Sequence, residues 1–298
     1  MGKALAEAFP SAREVFEEVD EALRQKLSKL MWEGPEGDLV LTENAQPAIL
    51  AASYAVIRIL QKDAGLDFVR HARLAAGHSL GEYTALAAVG AFTLADAARL
   101  LKTRGRAMQE AVPVGEGAMS ALLGIDIEGA EAAAQEATAQ GGVCVVANDN
   151  APGQVVISGT AHAVARAGEI AKTKGAKRAM ALAVSAPFHC PLMKPAADKM
   201  REALAGVTIR PPAVPIIANV TASETSEPES IRRFLVEQVM GRVRWRESVL
   251  AFRSRGVDTT VEAGGSKVLT GMVKRIDRDL QTMALDSPGD IETFAKSL

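Results

Sequence analysis

The amino-acid sequence predicts an α/β protein with a hydrolase-like parallel-sheet core and an inserted ferredoxin-like (α+β) subdomain. The pattern of residues 116–184 indicates the order β-α-β-β-α-β, which is typical of a ferredoxin-like unit. Strand and helix patterns continue on both sides of it, so we interpret it as an insert. A short strand before Gly-His-Ser-Leu-Gly and a helix after it are typical of the hydrolase type of sheet. We therefore predict a core made of residues 1–115 and 185–298.

The first part of the core is predicted to be mainly helical. Pro47 suits the first turn of a helix, where its missing N–H costs nothing, and residues 44–46 would form the entry. The predicted elements of this part are helices over 2–31, 47–62 and about 94–111, and a strand over 73–76.

The secondary structure of the insert and of the last third of the chain is predicted from shorter sequence patterns. Residues 148–153, Asn-Asp-Asn-Ala-Pro-Gly, predict a turn between two strands of the insert. Within the insert we predict strands over 118–124, 143–147, 154–158 and 178–184, and helices over 128–139 and 161–174. After it we predict helices over 191–205, 228–239 and 246–255, strands over 214–219 and 257–262, and a helix from about 266.

Composition excludes several classes of function. The chain has 298 residues, 48% of them hydrophobic, and a net charge of −2, so no broad basic field is available for nucleic acid. Two cysteines, Cys144 and Cys190, make neither a disulfide framework nor a typical structural zinc site. No apolar run is long enough to span a membrane, and the N-terminus lacks the apolar centre of a signal peptide. We expect a cytoplasmic protein that holds no metal.

Ser79 is the candidate nucleophile. It lies in Gly77-His78-Ser79-Leu80-Gly81, between a predicted strand and a predicted helix. A nucleophile at such a sharp turn needs a strained backbone, and small neighbours at positions 77 and 81 relieve the crowding. The N–H of Leu80 and the N-terminal end of the new helix would face an oxyanion formed at Ser79.

His189 is the candidate base, because the chain has only four histidines. His78 is adjacent to Ser79 and should point away, His71 lies among charged residues, and His162 opens a helix of the insert. A histidine in the apolar loop around position 189 is either structural or functional, and the shortage of rivals favours function. No carboxylate lies near it in the sequence, so no third member of a triad is identified.

Several motifs, taken in order, resemble the malonyl-coenzyme A:acyl carrier protein transacylase family and the related acyltransferase domains of polyketide synthases. The resemblance covers essentially the whole chain. It is carried by Gln46-Pro47-Ala48, by Gly-His-Ser-Leu-Gly-Glu-Tyr at 77–83, by Arg104-Gly105 with Met108, by Gly117-Ala118-Met119, by Asn148 with Asn150-Ala151-Pro152-Gly153-Gln154, by Phe188-His189-Cys190, and by Gln238 with Val243 and Trp245.

The resemblance implies roles for these residues. Ser79 would carry the acyl group and His189 would be the general base, oriented by a backbone carbonyl at Gln238. Arg104 would hold the free carboxylate of malonate; in the sequence alone, an arginine between Lys102 and Arg106 is more typical of a solvated helix face. A guanidinium suits this task because it forks onto a carboxylate with two hydrogen bonds. The other substrate-binding residues implied by the family motifs are Gln46, Met108, Asn148, Asn150 and Phe188.

The function implied is a ping-pong transfer of malonyl from malonyl-coenzyme A to the phosphopantetheine thiol of acyl carrier protein. The pair Phe188-His189 resembles the malonyl-selecting pattern of polyketide acyltransferases. In that pattern the phenylalanine ring fills the space that an α-methyl group of the donor would need. Coenzyme A enters as a substrate thioester, and we expect no cofactor and a monomer. The alternatives are an acyltransferase acting in trans on a polyketide synthase, a serine thioesterase or esterase, and a fold that only binds carrier protein.

Two features of the sequence depart from the family pattern. Family members begin with a strand and a Gly-Gln-Gly-Ser-Gln loop that supplies a second oxyanion N–H, whereas this sequence begins at Met1 where their first helix starts, so we expect a shortened form of a longer protein. Residues 263–266, Ala-Gly-Gly-Ser, stand where a Gly-Pro-Gly run is common. Two basic groups are candidates for docking the acidic carrier protein, although each by itself is also typical of a solvated basic face. They are Lys267, Lys274 and Arg275 in one and Lys174, Lys177 and Arg178 in the other.

Overall fold

The computed structural model describes all 298 residues of the chain. The helices are α1 (Lys3–Ala8), α2 (Pro10–Leu23), α3 (Leu27–Glu33), α4 (Glu36–Leu39), α5 (Thr42–Asp63), α6 (Phe68–His71), α7 (Leu80–Ala88), α8 (Leu94–Glu110), α9 (Ile127–Ala139), α10 (Ala161–Thr173), α11 (Lys194–Ala205), α12 (Pro228–Gln238), α13 (Trp245–Ser254), α14 (Val268–Ile276) and α15 (Pro288–Ala295). The strands are β1 (Ala75–Ala76), β2 (Gly117–Leu123), β3 (Cys144–Ala151), β4 (Gln154–Thr160), β5 (Arg178–Ala181), β6 (Ile216–Ala218), β7 (Ser223–Thr225), β8 (Thr259–Ala263) and β9 (Gln281–Leu285).

The predicted helical start of the chain is divided among α1, α2 and α3. Pro10 begins α2 because a proline has no N–H with which to extend α1, yet is well placed in a first turn. Arg24 ends α2 in the left-handed region, with φ of 49°. Helical structure over 2–31 is thus confirmed, but it consists of three helices.

Helix α5 begins five residues earlier than predicted, at Thr42, and Pro47 lies inside it. The amides of Asn44 and Ala45 both donate to the carbonyl of Leu41, which starts the helix upstream of the proline. Helix α8 crosses this first turn so closely that a Cβ on Gly105 would lie 2.5 Å from the carbonyl oxygen of Thr42. The loss of one hydrogen bond at Pro47 is therefore tolerated because tertiary packing holds the turn.

The α/β fold class is confirmed by the parallel pairings of the core. Strand β1 pairs in parallel with β6, which continues antiparallel to β7, and β8 pairs in parallel with β9. The predicted strands over 73–76 and 214–219 are present but shorter. Strand β9 and helix α15 were not predicted, because the sequence patterns were assigned only as far as the helix beginning near residue 266.

The inserted segment forms a four-stranded antiparallel sheet in the order β3-β4-β2-β5, covered by α9 and α10. The turn predicted for residues 148–153 is shorter, because β3 continues through residue 151 with two register shifts. Val243 of the core joins this sheet through backbone hydrogen bonds to Ala147 and Asp149, and Arg246 pairs with Asp149. The domain division at 116 and 184 stays a prediction.

Two separate apolar clusters mark the core and the insert. The larger packs α2, α5, α8 and α11 together, and the smaller fills the space between the insert's sheet and its two helices. Helices α7 and α8, which follow or carry candidate catalytic residues, contribute side chains to the larger cluster. No helix has the length and apolar character needed to cross a membrane.

Candidate active site

Ser79 occupies a strained turn between β1 and α7. Its backbone angles are φ 52° and ψ −110°, a region that side chains rarely adopt and that costs about 1–3 kcal/mol. A Cβ on Gly77 would lie 2.0 Å from the carbonyl oxygen of Gly81, so glycine is required there. At Gly81 an added Cβ would meet nothing within 4 Å. The prediction that a second glycine is needed at this position for steric reasons is therefore wrong. The Ser79 N–H donates to Oδ1 of Asn219 at 2.7 Å, which helps hold the turn.

His189 faces Ser79 in the geometry of a general base. Its Nε2 lies 2.8 Å from Ser79 Oγ, and its Nδ1 lies 2.8 Å from the backbone carbonyl oxygen of Gln238. A carbonyl only accepts, so Nδ1 carries the hydrogen and Nε2 is free to take the serine proton. Burial, and next the adjacent Arg104 cation, lower the pKa of His189 to about 3, so the imidazole is neutral at pH 7.

Arg104 is a buried cation whose side chain forms no salt bridge with a carboxylate of the chain. Its Nη2 donates to Ser79 Oγ at 3.0 Å and to Oε1 of Gln238 at 2.9 Å, and its Nη1 donates to Oε1 of Gln46 at 2.8 Å. Its Nε has no partner, although the residue is only 1% exposed. Burying a guanidinium without an anion is costly. The arrangement therefore suits a carboxylate brought by a ligand to within reach of the nucleophile.

A polar network behind the nucleophile was not predicted in full. The Gln238 amide nitrogen donates to the Ser79 carbonyl at 3.0 Å and to Oε2 of Glu82 at 2.7 Å. Asn219 donates from Nδ2 to the Gly77 carbonyl at 2.7 Å. A signal for Asn219 was available, since it follows β6 directly, at the carboxyl end of the strand beside β1, where α/β sheets place functional side chains.

The remaining predicted residues divide into two groups. Gln46 contacts Arg104, and its amide nitrogen lies 3.8 Å from Sδ of the buried Met108, so both belong to the site. Asn150 accepts from His78 Nε2 at 2.8 Å and so contacts the nucleophile's neighbour. Asn148 forms a backbone bridge with Val243, and no hydrogen bond joins its side chain to these residues, so its expected contact with substrate has no support in this geometry.

Leu80 and Phe188 complete the predicted set. The Leu80 amide opens α7 and donates to no acceptor in the protein, which leaves it available to an oxyanion at Ser79. Phe188 is half-buried and packs between the large core cluster and a small cluster of Met119, Ala147 and Val156. Its ring therefore lies where the core and the insert meet, and the residue precedes the candidate base in the sequence.

The other histidines are placed as expected. His71 is exposed and lies against the backbone of its own short helix, and His162 is exposed on α10. His78 is half-buried, turned from Ser79 towards Asn150, and packs on the Trp245 ring at a centroid distance of 5.7 Å. Among the four histidines, only His189 contacts the Ser79 hydroxyl.

Comparison with known proteins gives consistent findings. The family described as acyl transferase domain matches residues 1–285. The malonyl CoA-acyl carrier protein transacylase of Bacillus subtilis is 47% identical over 300 residues, covering 100% of this chain and 92% of the relative. That of Escherichia coli strain K12 is 45% identical over 284 residues, covering 95% and 90%.

Solved structures of related proteins superimpose closely on this chain. The acyl-carrier-protein-S-malonyltransferase from Bartonella henselae superimposes with a TM-score of 0.96 at 51% identity, covering 100% of this chain and 94% of the other. A malonyl-transacylase solved in complex with its type II PKS acyl-carrier protein gives a TM-score of 0.96 at 43% identity, covering 100% and 95%.

Proposed function

The chain belongs to the acyl transferase domain family, and from this membership and the geometry around Ser79 we propose that it transfers malonyl from malonyl-coenzyme A to the phosphopantetheine thiol of acyl carrier protein. The observation that carries the proposal is the buried Arg104 guanidinium, which forms no direct salt bridge with a carboxylate of the chain and whose Nη2 lies 3.0 Å from the nucleophile oxygen. It fits an acyl donor that has a free carboxylate beyond its thioester.

The first half-reaction acylates Ser79. Its Oγ–H proton passes to Nε2 of His189 as Oγ attacks the thioester carbonyl. The Leu80 N–H stabilises the resulting oxyanion. The C–S bond then breaks, and the coenzyme A sulfur leaves with the proton that His189 held. The imidazolium that forms is stabilised by the Gln238 carbonyl, which accepts from Nδ1.

The second half-reaction reverses these steps with a different thiol. The phosphopantetheine thiol of acyl carrier protein gives its proton to His189 and attacks the malonyl-serine carbonyl, and Ser79 leaves as it regains the proton. Throughout, Arg104 holds the malonyl carboxylate with charge-assisted hydrogen bonds. The proposal assigns every proton transfer and every charge contact to residues of the chain, so it includes no metal and no cofactor.

The alternative functions differ in what the site must contain. A serine esterase of the hydrolase type uses a catalytic acid on its histidine, whereas here His189 Nδ1 meets a backbone carbonyl. A fold that only binds carrier protein has no need of a serine and a neutral imidazole at 2.8 Å. An acyltransferase that loads a polyketide carrier is the second candidate, since a relative at 43% identity was solved with a type II PKS acyl-carrier protein.

We place the protein in the cytoplasm, which its two free cysteines support.

The test of the proposal separates the two half-reactions. Radiolabelled malonyl-coenzyme A alone should label the protein on Ser79, as located by peptide mass, with release of one coenzyme A per label. Addition of holo-acyl carrier protein should move the label to the carrier thiol. Release of the label to water at the same rate without carrier protein would identify a thioesterase instead. Carrier proteins from fatty-acid and polyketide systems, compared at equal concentration, distinguish the two transferase candidates.

Phe188→Ser should narrow the preference for malonyl over methylmalonyl donors. By resemblance to the malonyl-selecting pattern, the ring fills the space that an α-methyl group would need. One methyl in a pocket is worth about 1–3 kcal/mol, or roughly 10- to 200-fold in kcat/KM. The measurement is the ratio of kcat/KM for the two donors. Phe234→Ser, which removes a half-buried ring of α12 that lies against the Arg233 guanidinium, is the control. An unchanged ratio in Phe188→Ser would show that the ring does not set this selectivity.

Charge reversal should identify the carrier docking group. In the C-terminal group, Arg275 bonds Gln154 of the insert, leaving Lys267 and Lys274 exposed and without a salt bridge. Lys267→Glu with Lys274→Glu should raise KM for carrier protein several-fold, with the KM for malonyl-coenzyme A unchanged, because the carrier is acidic. An unchanged carrier KM removes this group from the interface.

The second basic group provides the parallel test. Lys174 is paired with Glu136 at 3.1 Å, so the double reversal there is Lys177→Glu with Arg178→Glu. The same rise in the carrier KM is expected if this group docks the carrier. Dependence of that KM on ionic strength, measured in both double variants, distinguishes lost docking charge from general damage.

A further inference from the structure

Glu82 is a buried carboxylate that the proposed reaction steps do not use. It lies in the first turn of α7 and is only 1% exposed. One of its oxygens, Oε2, accepts from the Gln238 amide nitrogen at 2.7 Å and from the backbone N–H of Asn219 at 3.1 Å. Both donors are neutral, so no cation contacts this carboxylate directly. A buried charge in this position requires a balancing charge nearby.

The Gln238 side chain connects Glu82 to Arg104. Its amide nitrogen donates to Glu82, and the oxygen of the same amide accepts from Arg104 Nη2 at 2.9 Å. The two charged groups therefore bind opposite ends of the Gln238 side-chain amide. Each of them fixes the orientation of that amide for the other charged group. This places a carboxylate and a guanidinium in the same buried network without direct contact.

We propose that Glu82 is the counter-charge of Arg104 in the free enzyme, and that a substrate carboxylate on Arg104 replaces it, so that Glu82 takes a proton from solvent when malonyl-coenzyme A binds. The inference rests on the proposed function, because it requires a carboxylate at Arg104. The step adds one solvent proton to one carboxylate oxygen and changes no bond of the substrate. Glu82 acts here as a positioning residue, through Gln238.

The surroundings of Glu82 favour this exchange. Burial raises the pKa of the Glu82 carboxyl to about 7, against smaller lowering by its hydrogen bonds and by Arg104. Burial also raises the pKa of Tyr83 and lowers the pKa of His78. His189, whose pKa is about 3, is neutral. Helix α12 and the end of β6 contribute only neutral amides. Arg104 is therefore the one charged partner that Glu82 has between pH 7 and 9.

The exchange makes malonyl binding dependent on pH. A malonyl carboxylate at Arg104 adds a second negative charge to the network, which raises the Glu82 pKa further in the complex. By linkage, affinity for malonyl-coenzyme A falls as pH rises above the pKa of Glu82 in the free enzyme, by at most about tenfold per pH unit. Acetyl-coenzyme A carries the same coenzyme but no carboxylate, so its affinity should lack this dependence.

Calorimetry on the Ser79→Ala protein tests the inference without turnover. Binding of malonyl-coenzyme A at pH 8, measured in two buffers with different ionisation enthalpies, should show uptake of up to one proton, and acetyl-coenzyme A should show none. Malonyl binding without proton uptake overturns the inference and leaves the proposed function intact. Equal affinity for the two donors would instead contradict carboxylate recognition by the site, and with it the proposed function.

The Glu82→Gln variant assigns the proton. Its amide oxygen can accept both N–H groups that Oε2 accepts, so the charge is removed while the acceptor is kept. In otherwise wild-type enzyme it should abolish the rise in malonyl KM between pH 7 and 9. Glu110→Gln, an exposed carboxylate on α8 paired with Arg106, should keep that rise. Retention of the rise, or of proton uptake in Ser79→Ala/Glu82→Gln, overturns the assignment.

Discussion

The Ser79→Ala variant is expected to accept no malonyl group, and its transfer rate should fall by a factor on the order of 10⁶. The hydroxyl is the group that attacks, and no other nucleophile shares its base at 2.8 Å. Cys190 lies next to His189 in sequence, but burial raises the pKa of its thiol, and Sγ donates to the Pro187 carbonyl. The measurement is the stoichiometry of radiolabel on protein after incubation with malonyl-coenzyme A, with transfer to carrier protein followed in parallel.

The matched control is Ser254→Ala, an exposed serine in the last turn of α13 that should be labelled like wild type. Thermal unfolding of both variants shows whether the loss at Ser79 reflects chemistry or stability. Alanine retains the positive φ of this position, so the backbone strain persists and the fold should be kept. Covalent malonylation of Ser79→Ala at wild-type stoichiometry would disprove the serine-ester mechanism.

Local sequence signals predicted the fold class and indicated the candidate nucleophile, because both depend on short-range chemistry. A strand, a glycine with no room for a Cβ, a serine and a helix start are all visible within a few residues, and Gly77 is confirmed as sterically required. The order of strands and helices in 116–184 was likewise visible as separate short patterns. These features need no knowledge of distant contacts.

Features set by distant contacts were predicted poorly or only through the family resemblance. Helix α5 begins at Thr42 because α8 packs over its first turn, which no local pattern around Pro47 indicates. Glu82 and Asn219 are 137 positions apart, and their hydrogen bond exists only after the sheet has formed. The burial of Arg104 contradicts the solvated helix face that its charged neighbours suggest. Propensity is a weak guide where tertiary structure decides.

The neutral state of His189 is another property of the fold. A carboxylate partner would favour the imidazolium, whereas the Gln238 carbonyl orients the ring with less charge stabilisation. Burial and Arg104 then keep the ring unprotonated far below its ordinary pKa. Because the unfolded chain binds this proton more readily, His189 lowers the free energy of unfolding as pH falls from 6.5 towards 3. In the proposed function the same cation would bind the substrate carboxylate, and it also helps to keep the imidazole of His189 unprotonated.

Arg104→Ala is expected to reverse donor preference. The change removes two or more charge-assisted hydrogen bonds to the malonyl carboxylate, each worth about 1.5–3 kcal/mol, so malonyl kcat/KM should fall by about 10²–10⁴-fold. Acetyl-coenzyme A has no carboxylate to lose, and its kcat/KM should fall far less or rise. The measurement is kcat/KM for both donors, with acylation of Ser79 followed directly so that carrier binding does not enter.

The controls separate recognition from structure, since alanine also leaves Gln46 and Gln238 without their buried donor. Arg104→Lys keeps the charge but cannot fork onto a carboxylate, so it should lie between wild type and alanine in the malonyl-to-acetyl ratio. Arg106→Ala, on the exposed face of the same helix, should leave that ratio unchanged. Equal losses with both donors in Arg104→Ala would mean that the guanidinium supports the network around Ser79 rather than the substrate carboxylate. Selectivity would then have to come from elsewhere in the site.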